Sequence, residues 1–503
     1  MEEQQPKPED NQTRLRENQL KLEHNQPKPE DNQPTTIRLL ALDALRGFAI
    51  LTMILASAIS WGNLPGWMYH AQLPPPNHVF NPTLPGITWV DLVFPFFLFA
   101  MGAAIPIALS RKIKEGKVTP GLIFGVLKRG LLLLFFAVVI QNIRPTVLSS
   151  SPDLKTYAAA LAGFGLLFLV FYRFPSSLSK TRVIALQGAG YAGIVALLAF
   201  WSFPEGAGFK LTRFDIIIAV LGNVFVAGSI IWLYTRKNWL WRLGIMALLF
   251  AIRLSHNTGT GFIADIAALQ PTGQVFNLNF YKYLFIIIPG TIAGDQMLEM
   301  MKLRVISAEN ISAKLKLKAA LIIAVMLGFI LVSLVSLYNR WVWQGFAAGG
   351  FLIFCGYFLF RGSEGDYFSS LKEFFKWGAF WFLLGFLLEP FEGGIKKDLS
   401  TMSYYFLTTG LALFFVIGAS LIIDFFGWRK GLSLLNDTGQ NPMIAYAGGG
   451  NLITPLFGLL GITSLFNEYF TTPWLGFIKG VIFTLALAYA VRLFTRYKVF
   501  WRA

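Results

Sequence analysis

From Leu39 to the C-terminus the chain is a succession of long apolar segments separated by short polar stretches. A run of about 18 or more apolar residues is long enough to cross the hydrocarbon core of a bilayer as a helix. Segments near 39–61, 89–109, 122–143, 157–173, 183–203, 214–234, 239–254, 283–300, 319–337, 343–360, 374–388, 403–425, 441–460 and 474–494 fit that description. The segments at 239–254 and 374–388 are short enough to be re-entrant or tilted. Hydrocarbon offers no partner to an exposed backbone N–H or C=O, and no alternating strand pattern runs through the chain. The expectation is therefore an all-α polytopic membrane bundle of about 12–14 transmembrane helices, occupying residues 38–503. Only 14% of the residues are charged, against about 25% in a soluble domain. The single Cys355 excludes a disulfide scaffold.

Residues 1–37 are of another kind. They contain no apolar run, and the octapeptide QPKPEDNQ occurs at Gln5–Gln12 and again at Gln26–Gln33. Five basic residues against eight acidic ones make this stretch acidic, and it has too little apolar surface to offset the entropy of ordering. We expect a disordered cytoplasmic tail. The remainder carries 38 basic against 19 acidic residues, or +19, which with the tail's −3 gives the chain's formal net charge of +16. With the N-terminus inside, the tail and the cytoplasmic loops together hold roughly thirty-three Lys and Arg and the opposite loops nine, with Lys479 inside a span. This bias accounts for the basic balance, so no nucleic-acid partner is implied.

One loop departs from the pattern. Residues 62–88, on the non-cytoplasmic side, contain no Lys, Arg, Asp or Glu, yet hold His70 and His78 among Pro74, Pro75, Pro76, Pro82 and Pro85. Prolines stiffen such a loop, and Trp61, Trp67, Tyr69, Phe80 and Trp89 suit the membrane interface. The loop reads either as an interfacial plug with two structural histidines or as a holder for a general base, since imidazole titrates near neutral pH. Asp91 follows in WVDLVFPFFLFAMG, where an ionisable group beside an apolar run suggests function. Asp43 and Arg46, three residues apart in the first span, share a helix face and can pair. Gly188, Gly190 and Gly193 match a dinucleotide fingerprint in letters only; inside a span they read as close helix packing. Gly448, Gly449 and Gly450 read as an unwound or tightly packed helix.

LDALRGFAILTMI, the His-bearing loop and GITWVDLVFPFFLFAMG together resemble the transmembrane acyltransferase family of heparan-alpha-glucosaminide N-acetyltransferase, in a bacterial branch usually described as uncharacterised. KKDLSTMSYYFLTTGLA at 396–412, GQNPMIAYAGGGN at 439–451 and YLFIIIPGTIAGD at 283–295 are similar to further motifs of that family. The resemblance implies transfer of an acetyl group from cytoplasmic acetyl-CoA, as co-substrate and without a metal, to an amine or hydroxyl of a sugar or glycan on the far side of the inner membrane. It also implies a homodimer, with membrane lipid around it. The family's catalytic histidine lies just upstream of the D-L-V-F-P motif. His70 is followed by Ala71, as in the family, whereas His78 lies nearer Gly86 and Asp91, which favours His78. Asp91 would orient the ring. Asp43 and Arg46 would contact CoA; Ser57 stands where the family has an asparagine; and Asn441, Lys396 and Lys397 are candidate substrate-lining residues. The alternative is a proton-coupled secondary transporter of a small solute, using Asp215, Asp295, Glu389 and Asp424. A transporter commonly shows two matching halves, and no internal repeat is evident.

Overall fold

The computed structural model describes residues 39–59, 61–62, 64–113, 116–204, 208–257, 259–268, 277–302, 312–362 and 365–503. The expected tail over 1–37 lies outside the described residues. Leu39–Ala503 forms one contact unit.

All fourteen apolar segments are helical. In chain order they are α1 (Leu40–Ala58), α2 (Trp89–Leu109), α3 (Pro120–Asn142), α4 (Leu154–Phe171), α5 (Lys180–Phe200), α6 (Ile216–Thr235), α7 (Leu240–Asn257), α8 (Leu284–Met300), α9 (Ala313–Tyr338), α10 (Val342–Phe360), α11 (Asp366–Leu388) and α12 (Met402–Ser420). A short α13 (Ser433–Gln440) then leads into α14 (Pro442–Gly448), which runs through a π-turn at Gly449–Ile453 into α15 (Thr454–Leu459). The chain ends with α16 (Ile462–Tyr469) and α17 (Pro473–Arg496). The protein is thus an all-α polytopic bundle.

The expectation is of about 12–14 spans. Among the described residues ten helices are long and apolar enough to cross a membrane, or eleven if Pro442–Leu459 and Ile462–Tyr469, bent by 88°, form one broken span. The segments that fall short do so for readable reasons. α8 has only 17 residues. α7 carries Arg242, Arg253 and His256, and α11 opens with Asp366, Lys372, Glu373 and Lys376.

The centre of the bundle is α12 with α2 and α8 beside it. In Met402–Phe425, 89% of the most apolar stretch is buried, against 17% in Lys180–Phe200 and in Val342–Phe360, which form the periphery. α2 and α8 run parallel and touch backbone to backbone. A Cβ on Gly294 would lie 2.4 Å from the Ala103 carbonyl oxygen, so only glycine permits this approach. α1 docks as tightly on α13, where a Cβ on Gly439 would meet the Asp43 carbonyl oxygen at 1.9 Å. Of the α5 glycines, Gly190 and Gly193 are set against Leu166 and Leu169 of α4, whereas Gly188 faces open space and serves no close packing.

Two loops meet at one end of this bundle. In the 62–88 loop, Gln72 Nε2 donates to the carbonyls of Leu84 (2.9 Å) and Gly86 (3.3 Å), and the Asn81 N–H returns to Gln72 O. The second loop, 389–401, joins α11 to α12. Glu392 accepts from the first N–H groups of α12, at Met402 and Ser403, both at 2.7 Å. Arg253 of α7 donates to Ser400 O. The loops are tied together by Gly86 N–H to Ile395 O at 2.9 Å, and Gly394 lies against Pro85.

Candidate functional site

Asp91 is fully buried at the third position of α2, and its two carboxylate oxygens have different duties. Oδ2 accepts from the Thr88 N–H (2.9 Å) and the Ala71 N–H (3.2 Å), with the Thr88 hydroxyl beside it (3.2 Å) turned to Tyr69 O. The Thr88 contact is the reach-back half of a capping box, and the first turn of a helix favours a negative charge. Oδ1 faces His70 Nδ1 at 2.7 Å. The Tyr404 hydroxyl of α12 donates to the Asp91 main-chain oxygen at 2.6 Å, fixing the start of α2 against the core.

With Nδ1–H donated to Asp91, the remaining lone pair of His70 is on Nε2. Lys397, delivered by the 389–401 loop, places Nζ 3.2 Å from Nε2 and 3.0 Å from Nδ1. The His70 side chain is 32% exposed and that of Lys397 19%. Both border a cavity of about 270 Å³, whose walls include Ser57, Met68, Tyr69, Val93 and Ile217. This lies just under the roughly 300–1,000 Å³ usual for small-molecule pockets, so it admits the reacting end of a larger ligand. Nearby, burial pulls the Lys282 ammonium below its usual range, the Arg253 guanidinium adds to this, and Asp398 opposes it.

The expectation that favoured His78 needs correcting: the imidazole beside Asp91 is His70. His78 takes a left-handed backbone conformation (φ 48°) that turns it back into its own loop. Its Nδ1 is 3.2 Å from Leu73 O and its Nε2 3.1 Å from Gly62 O, so both nitrogens face carbonyls. Its ring packs edge-on against Trp61 and Tyr69, with centroids 4.6 and 4.5 Å away. His78 is a rivet of the loop.

The other expected residues separate into two groups. Ser57 shares the cavity wall with His70 and Lys397, its hydroxyl donating to Ile54 O at 2.8 Å. Asp43 and Arg46 form the expected pair at 3.1 Å, but near the far end of α1, and Arg46 also donates to Gly439 O at 3.0 Å. Fourteen residues of helix separate Asp43 from Ser57, roughly 20 Å. Asn441 lines neither the His70 cavity nor its mouth. It is buried, donates to Val499 O at 2.7 Å and accepts from the Trp501 N–H at 3.4 Å, holding the C-terminal segment in place. Lys396 acts through its backbone, whose N–H donates to Thr401 Oγ1 at 3.1 Å.

Thr88 and Tyr404 complete the site and were not among the expected residues. Thr88 was legible, since Thr-x-x-Asp before an apolar run is a capping-box signature. Nothing local marked Tyr404, 313 residues from its partner.

Residues 38–297, just over half of the chain, match a family described as a domain of unknown function, DUF5009. The chain belongs to the DUF5009 family. No curated protein matches it. The matched region contains Ser57, His70, Thr88 and Asp91 and ends before Lys397 and Tyr404, so the site draws on residues from both sides of that boundary.

Proposed function

We propose that this protein is a membrane-embedded acyltransferase. It moves an acetyl group from acetyl-CoA, supplied from the cytoplasm, to an amine or hydroxyl of a sugar or glycan on the periplasmic face of a bacterial inner membrane. The N-terminus lies in the cytoplasm, and two copies form a dimer. The observation that carries this reading is the His70 imidazole, oriented at 2.7 Å by a carboxylate with no solvent exposure and opening onto a cavity. A buried carboxylate that fixes the tautomer of an accessible histidine is the arrangement of a general base.

In the direct reaction, His70 Nε2 takes the proton from the attacking amine or hydroxyl as the new C–N or C–O bond forms. The thioester C–S bond breaks, and the CoA thiolate leaves and recovers the proton from the imidazolium. Asp91 stabilises that imidazolium. Lys397 shifts from Nε2 as the acceptor arrives, and its ammonium then faces the oxygen on which negative charge develops. The carboxylates a proton-coupled carrier would need are largely engaged: Asp295 with Arg242, Glu389 with Arg340 at 2.7 Å, and Asp215 with the Tyr446 hydroxyl at 2.7 Å.

The test combines binding of CoA and acetyl-CoA to the purified protein with radiolabelled acetyl transfer to a panel of aminosugars and glycans. Wild type should bind and transfer. His70→Ala should lose about 10²–10⁴-fold in rate with unchanged acetyl-CoA binding, whereas His78→Ala should retain transfer and melt earlier. A well-folded sample that binds neither CoA nor acetyl-CoA would overturn the reading, as would full activity in His70→Ala.

A further inference from the structure

A second and larger cavity, about 740 Å³, lies at the opposite end of α8, between α6, α7 and α11. We infer that it binds an anionic phospholipid whose headgroup carries hydroxyls, of the phosphatidylglycerol class. α7 stands away from the bundle, burying only Arg242 and Met246, and the cleft between it and α11 is bridged where Trp239 meets Trp377 edge-on at 5.4 Å.

Charge selects the phosphate. Asp295 is paired with Arg242, Glu373 with Lys376 (2.6 Å) and Glu299 with Lys302 (2.7 Å). Arg236 and Lys237, on the lining, have no carboxylate partner among the described residues. Positive charge is therefore left over at the mouth, and basic clefts between transmembrane helices suit anionic lipid headgroups.

The inner wall selects the rest of the headgroup. Arg242 is 1% exposed, and its Nε–H has no acceptor in the protein; Gln296 Oε1 is buried without a donor. A ligand that both accepts and donates would complete these two groups. A phosphoglycerol group does both, through its phosphate or ester oxygens and its free hydroxyls, whereas a choline headgroup has no donor. The remaining wall is aromatic. Phe380 is 49% exposed and Trp241, outside the lining, 69%, giving acyl chains a surface to run along.

The experiment uses the full chain in a neutral detergent, with thermal shift and native mass spectrometry. Mixed micelles of phosphatidylglycerol should raise the melting temperature and leave one retained lipid adduct, and phosphatidylcholine should do neither. Lys237→Gln, a substitution at an exposed position, should weaken the phosphatidylglycerol response about fivefold, from roughly 1 kcal/mol per basic residue near an anionic headgroup. Gln296→Leu should weaken it without altering the response to phosphatidylcholine. Equal stabilisation by both lipids, or an unchanged response in Lys237→Gln, would overturn the proposal. So would saturation by free glycerol phosphate, which would mark a soluble-anion site, or by 3′,5′-ADP, which would mark a nucleotide site. Each of these outcomes would overturn the lipid site without removing the His70–Asp91 pair, so this inference can fail while the acyltransferase reading stands.

Discussion

Two acids, Asp91 fully buried and Asp295 partly exposed, stand at opposite ends of the same helix pair. Asp91 opens α2 and Asp295 lies in the last turns of α8. The two helices run parallel through the contacts of Gly102, Gly290 and Gly294, so the acids are separated by roughly 20 Å along the pair. At the N-terminus of α2 the helix supplies free N–H groups and the positive end of its dipole. Two backbone N–H groups satisfy one oxygen of Asp91, with the Thr88 hydroxyl beside it turned to Tyr69 O, and the other oxygen is left for the His70 imidazole. Near the C-terminus of α8 the field is reversed, and Asp295 is held by a whole cation, Arg242, with support from Trp232 Nε1 at 2.9 Å. One end thus places an imidazole against the acid, at the edge of a cavity. The other end locks an ion pair, and a cavity forms around it.

The comparison can be broken at the hinge between the ends. Gly294→Val forces a side chain into the Ala103 backbone and should cost more than about 4 kcal/mol; melting in detergent should show a protein that no longer assembles. A cooperative wild-type-like melt would mean that α2 and α8 are not rigidly coupled. Asp295→Asn leaves Arg242 buried without its counter-charge and should cost about 3–5 kcal/mol. Pairing it with Arg242→Met should recover most of that loss, and stability read from denaturant or heat would check both.

Smaller effects sharpen the contrast. Asp91→Asn keeps an acceptor for the Thr88 N–H, so its stability cost should be about 1–3 kcal/mol. Its effect on acetyl transfer should nevertheless match that of His70→Ala within tenfold. A large stability loss with intact transfer would make Asp91 a cap and nothing more. The smallest effect concerns Lys282, whose pKa is pulled down by burial and by Arg253. Its charged form is disfavoured in the folded protein, so Lys282→Met should raise the melting temperature at neutral pH. The gain should vanish as the pH rises through the lowered pKa toward 10.5, because the wild-type side chain then loses its charge as well. A gain independent of pH would assign the effect to packing.

Much of the architecture was legible. Every apolar run is a helix, because backbone satisfaction in hydrocarbon leaves no other local solution. The pairing of Asp43 with Arg46 followed from a spacing of three. The number of spans was less legible, since α7, α8 and α11 are helices but shorter or more charged than the ten that are plainly long and apolar enough to cross. Which histidine lies beside Asp91 was not legible, for a different reason. His78 is thirteen positions from Asp91 and His70 twenty-one, but distance along the chain is no guide to proximity in a loop that folds back. The loop instead closes on itself through Gln72 and Asn81. That closure carries the nearer residue away and brings the farther one in.

The sequence by itself determined a polytopic helical membrane protein, the unusual neutral loop, and the acid that follows it, because hydropathy and the energetic cost of an ionisable group are local properties. Only the tertiary structure decided that His70 receives the second oxygen of Asp91, that Lys397 crosses 327 residues of chain to reach the same ring, and that Asn441 serves the C-terminal segment. Those outcomes depend on where loops close and how near glycines let helices approach. Both are set by contacts between residues far apart in the chain, which no local pattern encodes.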